Sequence, residues 1–130
     1  MQRNKQKKVI KKAKQVSPIG NAYVYSGYNN TIITITDVNG GTICWGTAGS
    51  NSFKGSKKST PYAATIVGEN IARESYSYGL REVTVFLKGV GNGKAQSVKA
   101  LRNGGLIINK ILDVTPIPYN GCRAKKRRRV

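Results

Sequence analysis

The strongest constraint on the fold of this chain is where its positive charge lies. The 130 residues contain 23 Lys and Arg against 5 Asp and Glu, with no His, which gives a net charge of +18. Seven of the basic residues lie in residues 1–14 and six in residues 123–130, and neither segment contains an acid. Because dense like charge repels itself and cannot pack into a core, we expect two basic tails, disordered in isolation, around one folded domain.

The segment between the tails is suited to a single domain. A chain of 130 residues lies within the ~150 residues usual for one domain, and a hydrophobic content of 38% is typical of a globular chain. No apolar run approaches the ~20 residues that cross a bilayer. The predicted division is a basic tail over 1–15, one α/β domain over 16–114, and an extended basic tail over 115–130 that opens with Thr115-Pro116-Ile117-Pro118.

A polyanion is the expected partner of the tails. A membrane-binding tail would interleave apolar anchors on a helical face, and such residues are sparse at both ends, so no membrane partner is expected. Arg-rich runs of this density are typical of phosphate binding, which releases condensed counterions. Nucleic acid is therefore favoured over an acidic protein, while a solubility or nuclear-targeting role for a tail stays open.

The residue types that catalysis and metal binding need are scarce. The chain has no His, and Cys44 and Cys122 lie far apart without a third ligand nearby. We expect no enzymatic activity, no metal and no cofactor, and we expect Cys122 to be a small packed residue. The acidic residues are Asp37, Glu69, Glu74, Glu82 and Asp113.

Short β-branched and aromatic runs predict strands over residues 22–26, 31–36, 42–48, 83–87 and 106–114. Turn sequences between the first three, including Asn39-Gly40, predict an antiparallel meander. Thr60-Pro61 is typical of a helix start and predicts a helix over 61–78, and a second helix is expected over 94–103. The polar segment 49–59 is predicted to be a loop. The order βββαβαβ predicts a mixed five-stranded sheet with two helices packed on it.

Two loops are candidate phosphate sites. The first leads into a helix N-terminus, where free N–H groups favour an anion. The second lies between a strand and a helix, and its glycines would let the backbone approach a phosphate closely. In the second loop the spacing Gly-x-Gly-x-Gly departs from the dinucleotide fingerprint, so a nucleotide cofactor is disfavoured. A solvated loop and a tight turn remain the alternatives for the first and second. The first loop covers residues 53–60 and the second 88–94. The candidate contact residues are Phe53, Lys54, Gly55, Lys57, Lys58, Ser59 and Thr60 in the first loop and Lys88, Gly89, Gly91, Gly93 and Lys94 in the second.

Two further segments offer groups for bases and phosphates. At the predicted tip of the first hairpin, Tyr28, Asn29 and Asn30 provide a ring for stacking and two amides for base edges, or they form an ordinary turn. The turn-prone pair Asn120-Gly121 opens the basic run at the C-terminus.

Several of these segments resemble the bacterial-type small-subunit ribosomal protein S-eleven family, from about Val16 to the last residue. The matching segments are 28–32, 47–49, 53–64, 113–118, 120–123 and 126–130. The resemblance implies a ribonuclease-H-like mixed sheet. It also implies a structural role on the platform of the small subunit beside the mRNA exit cleft, with contacts to the central and 3′ regions of small-subunit rRNA and to proteins S-seven and S-eighteen.

By this resemblance, the two loops and the C-terminal tail are the parts that contact rRNA. In the tail these residues are Thr115, Pro116, Pro118, Tyr119, Asn120, Gly121, Arg123, Lys125, Lys126, Arg127, Arg128 and Arg129. No homo-oligomer is expected. The composition, rich in Asn, Ile, Tyr and Lys, favours the ribosome of an organelle, a mitochondrion before a plastid, over that of a bacterial cytoplasm.

Two other functions have to be weighed against this one. A free-standing RNA chaperone or annealing protein would have similar tails. Nucleases of the ribonuclease-H-like fold gather several carboxylates around two metal ions, whereas the acids of this chain are predicted on a hairpin turn, a helix and strand ends. Fold alone does not carry function, so we expect no cleavage.

Overall fold

The computed structural model describes residues 17–51, 54–127 and 129, in which five β-strands and two α-helices form one α/β unit. The helices are α1 (Pro61–Ser77) and α2 (Lys94–Asn103). The predicted helix over 94–103 is therefore confirmed at both ends. The strands are β1 (Ile19–Ser26), β2 (Thr31–Asp37), β3 (Thr42–Thr47), β4 (Glu82–Lys88) and β5 (Ile107–Asp113).

The five strands form a single mixed sheet in the order β3-β2-β1-β4-β5. The first three strands pair antiparallel as the predicted meander, and Gly40 takes the positive φ of +92° that the β2–β3 turn needs. β4 pairs parallel with β1 on one side and with β5 on the other. The predicted mixed sheet with two helices is confirmed.

Both helices pack on one face of the sheet. Ile33 and Ile35 of β2 are fully buried beneath them, as are Ala63 and Val67 of the apolar stripe of α1. The two helices approach closely at Gly68, where an added Cβ would lie 2.6 Å from the Cβ of Ala100. No helix in the described ranges is long and apolar enough to cross a membrane.

The ends of α1 follow from its sequence. The hydroxyl of Thr60 accepts a hydrogen bond from the backbone N–H of Ala63 (3.2 Å), and Pro61 occupies the first helical position. Gly79, with φ +107°, follows the C-cap residue Tyr78 and stops the helix. The predicted helix over 61–78 is confirmed to within one residue.

The prediction that 49–59 is only a loop was wrong, because two short 3-10 helices, Gly49–Asn51 and Gly55–Ser59, lie within it. The Ser50 hydroxyl donates to the carbonyl of Thr47 (2.9 Å), and the Ser50 N–H donates to the Thr47 hydroxyl (3.0 Å). Hydrogen bonds from short polar side chains therefore stabilise this turn. It is too short to show the periodic apolar residues from which a helix is predicted.

Candidate nucleic-acid interface

Three of the six connections between successive strands and helices lie at one edge of the sheet, and the chain after β5 leaves the sheet there too. β1, β3, β4 and β5 run in the same direction and end at this edge, which we call the carboxyl edge. Both α-helices begin there, because α1 follows β3 and α2 follows β4. In α/β folds, strand carboxyl ends beside helix N-termini form the usual ligand-binding edge, where free N–H groups favour anions.

The glycine loop between β4 and α2 packs directly against the β1–β2 turn. The N–H of Gly91 donates to the carbonyl of Ser26 (2.7 Å), and the N–H of Gly93 donates to the Ser26 hydroxyl (3.2 Å). A Cβ on Gly91 would meet the carbonyl oxygen of Gly27, and Gly89 has a φ of +104°. Close backbone packing therefore accounts for these glycines and brings the loop beside the hairpin tip.

The segment that precedes α1 lies beside this loop. A Cβ on Gly93 would lie 3.0 Å from the Cβ of Ala64, in the first turn of α1. Upstream, the Thr60 hydroxyl donates to the carbonyl of Lys57 (2.8 Å) and so ties the second 3-10 helix to the helix start. The side chains of Lys54 and Lys57 are exposed, and that of Lys58 is half-buried.

The C-terminal tail leaves the sheet at the same edge. The N–H of Val114 donates to the carbonyl of Leu87 (2.8 Å), and the N–H of Gly89 donates to the Thr115 hydroxyl (3.1 Å). That hydroxyl in turn donates to Asp113 (2.6 Å), which also lies 2.8 Å from the ammonium of Lys94. The bond from Lys94, followed by those from Thr115, holds the pKa of the Asp113 carboxyl well below its usual range.

Two of the three acids in the strands lie at the edge opposite the carboxyl edge, where Arg81 and Arg102 also lie. Among the described residues, the carboxyl edge carries one acid, Asp113, and Lys94 neutralises it. At the opposite edge, Asp37 ends β2 beside Gly20, and Glu82 begins β4 beside Ile19. The lysines at the carboxyl edge are Lys54, Lys57, Lys58, Lys88 and Lys94. This arrangement can bind a polyanion at the carboxyl edge and leaves the acids away from it.

Comparison with known protein families decides the identity at the family level. Residues 20–129 match the family model described as ribosomal protein S11, which covers the carboxyl edge and the described part of the basic tail. The chain belongs to the ribosomal protein S11 family. S11 proteins are components of the small ribosomal subunit, where they bind rRNA and other ribosomal proteins, and the family is generally structural rather than enzymatic.

The S11 fold brings most of the predicted contact residues to one edge. The glycine loop, the hairpin tip and the segment before α1 are neighbours, and Thr115 is hydrogen-bonded to Gly89. Tyr28 is 78% exposed at the tip, whereas the amide oxygen of Asn30 accepts from the N–H of Thr31 (2.9 Å) and is used by the turn. Phe53, Arg128 and the predicted N-terminal tail lie outside the described residues.

Beyond Thr115 the described residues of the S11 tail are exposed and form neither helix nor strand. The basic tail residues Arg123, Lys125, Lys126 and Arg127 make no ion pair with another described residue. Cys122 is exposed, so the prediction that it is packed was wrong. The physical reason is that the chain has already left the sheet at Val114, and no described element covers it.

Two residues that organise this part of S11 were missed from the sequence. Asp113 was regarded only as the end of a strand, and Ser26 was not considered. The Asp113-Val114-Thr115 spacing is a recognisable signal, because Asp side chains commonly accept hydrogen bonds from the backbone two residues later. No comparable signal marks Ser26, whose partner Gly93 is 67 positions away. Among the described residues, no cluster of three His, Cys, Asp or Glu side chains could hold a metal ion.

Proposed function

We propose that this protein is a structural constituent of the small-subunit platform, in which the carboxyl edge and the C-terminal tail bind small-subunit rRNA beside the mRNA exit cleft. One observation carries the proposal. Two helix N-termini, the lysines of the carboxyl edge and the first residues of the basic tail share one edge of the sheet, and the other acids lie away from it.

Each part of the edge is suited to a different contact. Lys54 and Lys57 are exposed near the start of α1 and would neutralise phosphates there. The exposed ring of Tyr28 would stack on an unpaired base. The tail, with no core of its own, would become ordered between RNA helices, so that its charge is used only in the assembled particle.

The finer assignments are part of the same proposal. They comprise contacts to the central and 3′ regions of the rRNA, neighbours S-seven and S-eighteen, proximity to mRNA, and the division into two tails and one domain. A ribonuclease-H-like classification of the fold is supported by the strand order β3-β2-β1-β4-β5 with helices on one face. Placement in an organelle, a mitochondrion first, is supported by composition alone.

The tail's role is tested by deleting residues 123–130 and measuring binding to a small-subunit rRNA fragment over a range of salt concentrations. Each phosphate contact that is lost lowers the slope of log K against log[salt] by ~0.7–0.9. The truncated protein should therefore bind more weakly and show a flatter slope. An unchanged slope with unchanged affinity would refute the proposed role of the tail.

A free-standing RNA chaperone is the alternative function. Such a protein would bind many RNAs equally and would be found apart from ribosomes. Sedimentation through high-salt sucrose separates the two, because a structural constituent stays with the small subunit and a chaperone is stripped from it.

A further inference from the structure

The face of the sheet opposite the helices carries a row of side chains that is large on every strand except β2, where the member is Thr34. The strand registers place Trp45 opposite Thr34, Thr34 opposite Tyr23, Tyr23 opposite Phe86, and Phe86 opposite Leu112. The row therefore crosses all five strands, a width of about 19 Å at the usual strand spacing of ~4.8 Å. We call this surface, with Ile32, Tyr25 and Lys88 in the next row, the open face.

The open face is mostly apolar, and no element in the described part of the chain covers it. Trp45 is 62% exposed, Tyr25 47% and Leu112 44%, with the described part of the C-terminal tail present. Both helices pack on the other face, so neither protects these side chains. Contiguous exposed apolar surface of this kind marks an interaction site.

Its charge distinguishes the open face from the carboxyl edge. The chain has a net charge of +18, but little of this charge lies on the open face. The charged strand residues that point to it are Glu82, Lys88 and Lys110. Surfaces that bind nucleic acid are strongly positive, whereas the centres of protein interfaces are rich in aromatic residues and poor in lysine. The open face therefore fits a protein partner better than RNA.

The central rings support the same choice. Tyr23 and Phe86 stack on each other, with ring centroids 5.1 Å apart and planes inclined by 13°. Each ring therefore occupies one face of the other, and those faces are not available to a base. Nucleic-acid platforms need free ring faces on which successive bases stack.

We propose that the open face binds an apolar surface of another protein of the small subunit, with an acidic side chain of that partner facing Lys110. The Lys110 side chain is exposed and forms no ion pair with an acid in the described part of the chain, so it offers the charge that such a partner would complement. The inference rests on the proposed function in one respect, because it assumes that the protein contacts this partner in the assembled small subunit.

The test is site-specific photo-crosslinking from the open face in purified subunits. A Trp45→p-benzoyl-phenylalanine variant replaces one exposed aromatic side chain with another and should assemble normally. On irradiation it should give a crosslinked product that survives nuclease and is removed by protease. An RNA adduct, or oxidation of wild-type Trp45 that is as fast in the subunit as in the free protein, would overturn the inference.

Matched variants test whether capture of the partner depends on the open face and on the charge of Lys110. Val38→p-benzoyl-phenylalanine places the same probe at an equally exposed site (59%) in the β2–β3 turn, and it should capture the partner several-fold less well. In the Trp45 probe background, Lys110→Glu should lower the crosslink yield several-fold and Lys99→Glu, on α2, should not. Equal capture from Val38, or equal effects of the two lysine changes, would contradict the proposal.

Failure of this inference can be told apart from failure of the proposed function. A protein that does not enter small subunits at all contradicts the proposed function. The other outcome is that the protein enters small subunits and crosslinks to rRNA both through its tail and from position 45. That outcome contradicts only the protein partner assigned to the open face.

Discussion

The Nζ atom of Lys94 lies 2.8 Å from Oδ2 of Asp113, and this ion pair joins the first residue of α2 to the last residue of β5. The other carboxylate oxygen accepts from the N–H (3.1 Å) and the hydroxyl (2.6 Å) of Thr115. Together these bonds fix the direction in which the basic tail leaves the sheet. Under the proposed function, fixing that direction in advance would reduce the number of residues that must become ordered when the tail binds rRNA.

The first prediction concerns this junction. Asp113→Ala removes the bonds to Lys94 and Thr115, so the amide of Thr115 should exchange with solvent markedly faster, while that of Val85 in the interior of the sheet should not change. Amide hydrogen exchange measures both in one experiment. Lys99→Ala, which removes an exposed lysine of the same helix, is the control, and equal exchange at Thr115 in wild type and Asp113→Ala would contradict the role of the pair.

The second prediction concerns pH. The folded pKa of Asp113 is lowered, so its carboxylate stabilises the fold above the ordinary Asp pKa of ~3.9, and that contribution is lost as the pH falls through the folded pKa. A ¹³C NMR titration should find the titration midpoint of Asp113 below the ordinary Asp pKa of ~3.9. Lys94→Met should raise its pKa, since the Lys94 bond is the largest cause of the shift. An ordinary titration midpoint in the wild-type protein would refute this account.

The third prediction tests the packing of the glycine loop. Gly93 has a φ of −84°, which any residue can adopt, but a Cβ there would lie 2.7 Å from the Thr31 hydroxyl oxygen. Gly93→Ala should therefore lower the free energy of unfolding by ~1–3 kcal/mol through overpacking. Asn92→Ala, at an exposed neighbour, should stay within ~0.5 kcal/mol. Urea unfolding of the two variants checks this, and equal stabilities would show that the loop does not depend on close packing.

The fourth prediction tests whether rRNA binding depends on lysines at the carboxyl edge in particular or on positive charge anywhere on the protein. Replacing Lys54 and Lys57 by Gln removes two exposed charges near the start of α1 and should reduce the salt slope of rRNA binding by ~1.4–1.8. Replacing Lys99 and Arg102 by Gln removes the same charge from α2, nearer the opposite edge, and should leave the slope nearly unchanged. Slopes reduced equally by the two pairs would mean that the edge has no special role.

Local features of the fold were predictable from the sequence because their causes are local. The helix start at Thr60-Pro61, the stop at Gly79 and the alternating burial of β2 each follow from residues within a few positions of one another. The family resemblance, confirmed over residues 20–129, added membership of the small ribosomal subunit, which the local patterns do not indicate.

The features that were missed depend on distant contacts. The insertion of β4 beside β1, which creates the row on the open face, cannot be inferred from the order of elements alone. The contact of Gly93 with Ser26 and the pairing of Lys94 with Asp113 join residues 67 and 19 positions apart. Packing between segments that are distant in the sequence determines this strand order and these two contacts. The pattern of neighbouring residues carries little information about such packing.

The most direct test of the central claim is a map of protein–RNA crosslinks in purified small subunits, read residue by residue by mass spectrometry. The account predicts rRNA adducts on Lys54 and Lys57 and on the tail from Arg123 onward, all at or beyond the carboxyl edge. Adducts confined to Arg81 and Arg102, which lie toward the opposite edge, with none on the tail, would contradict it.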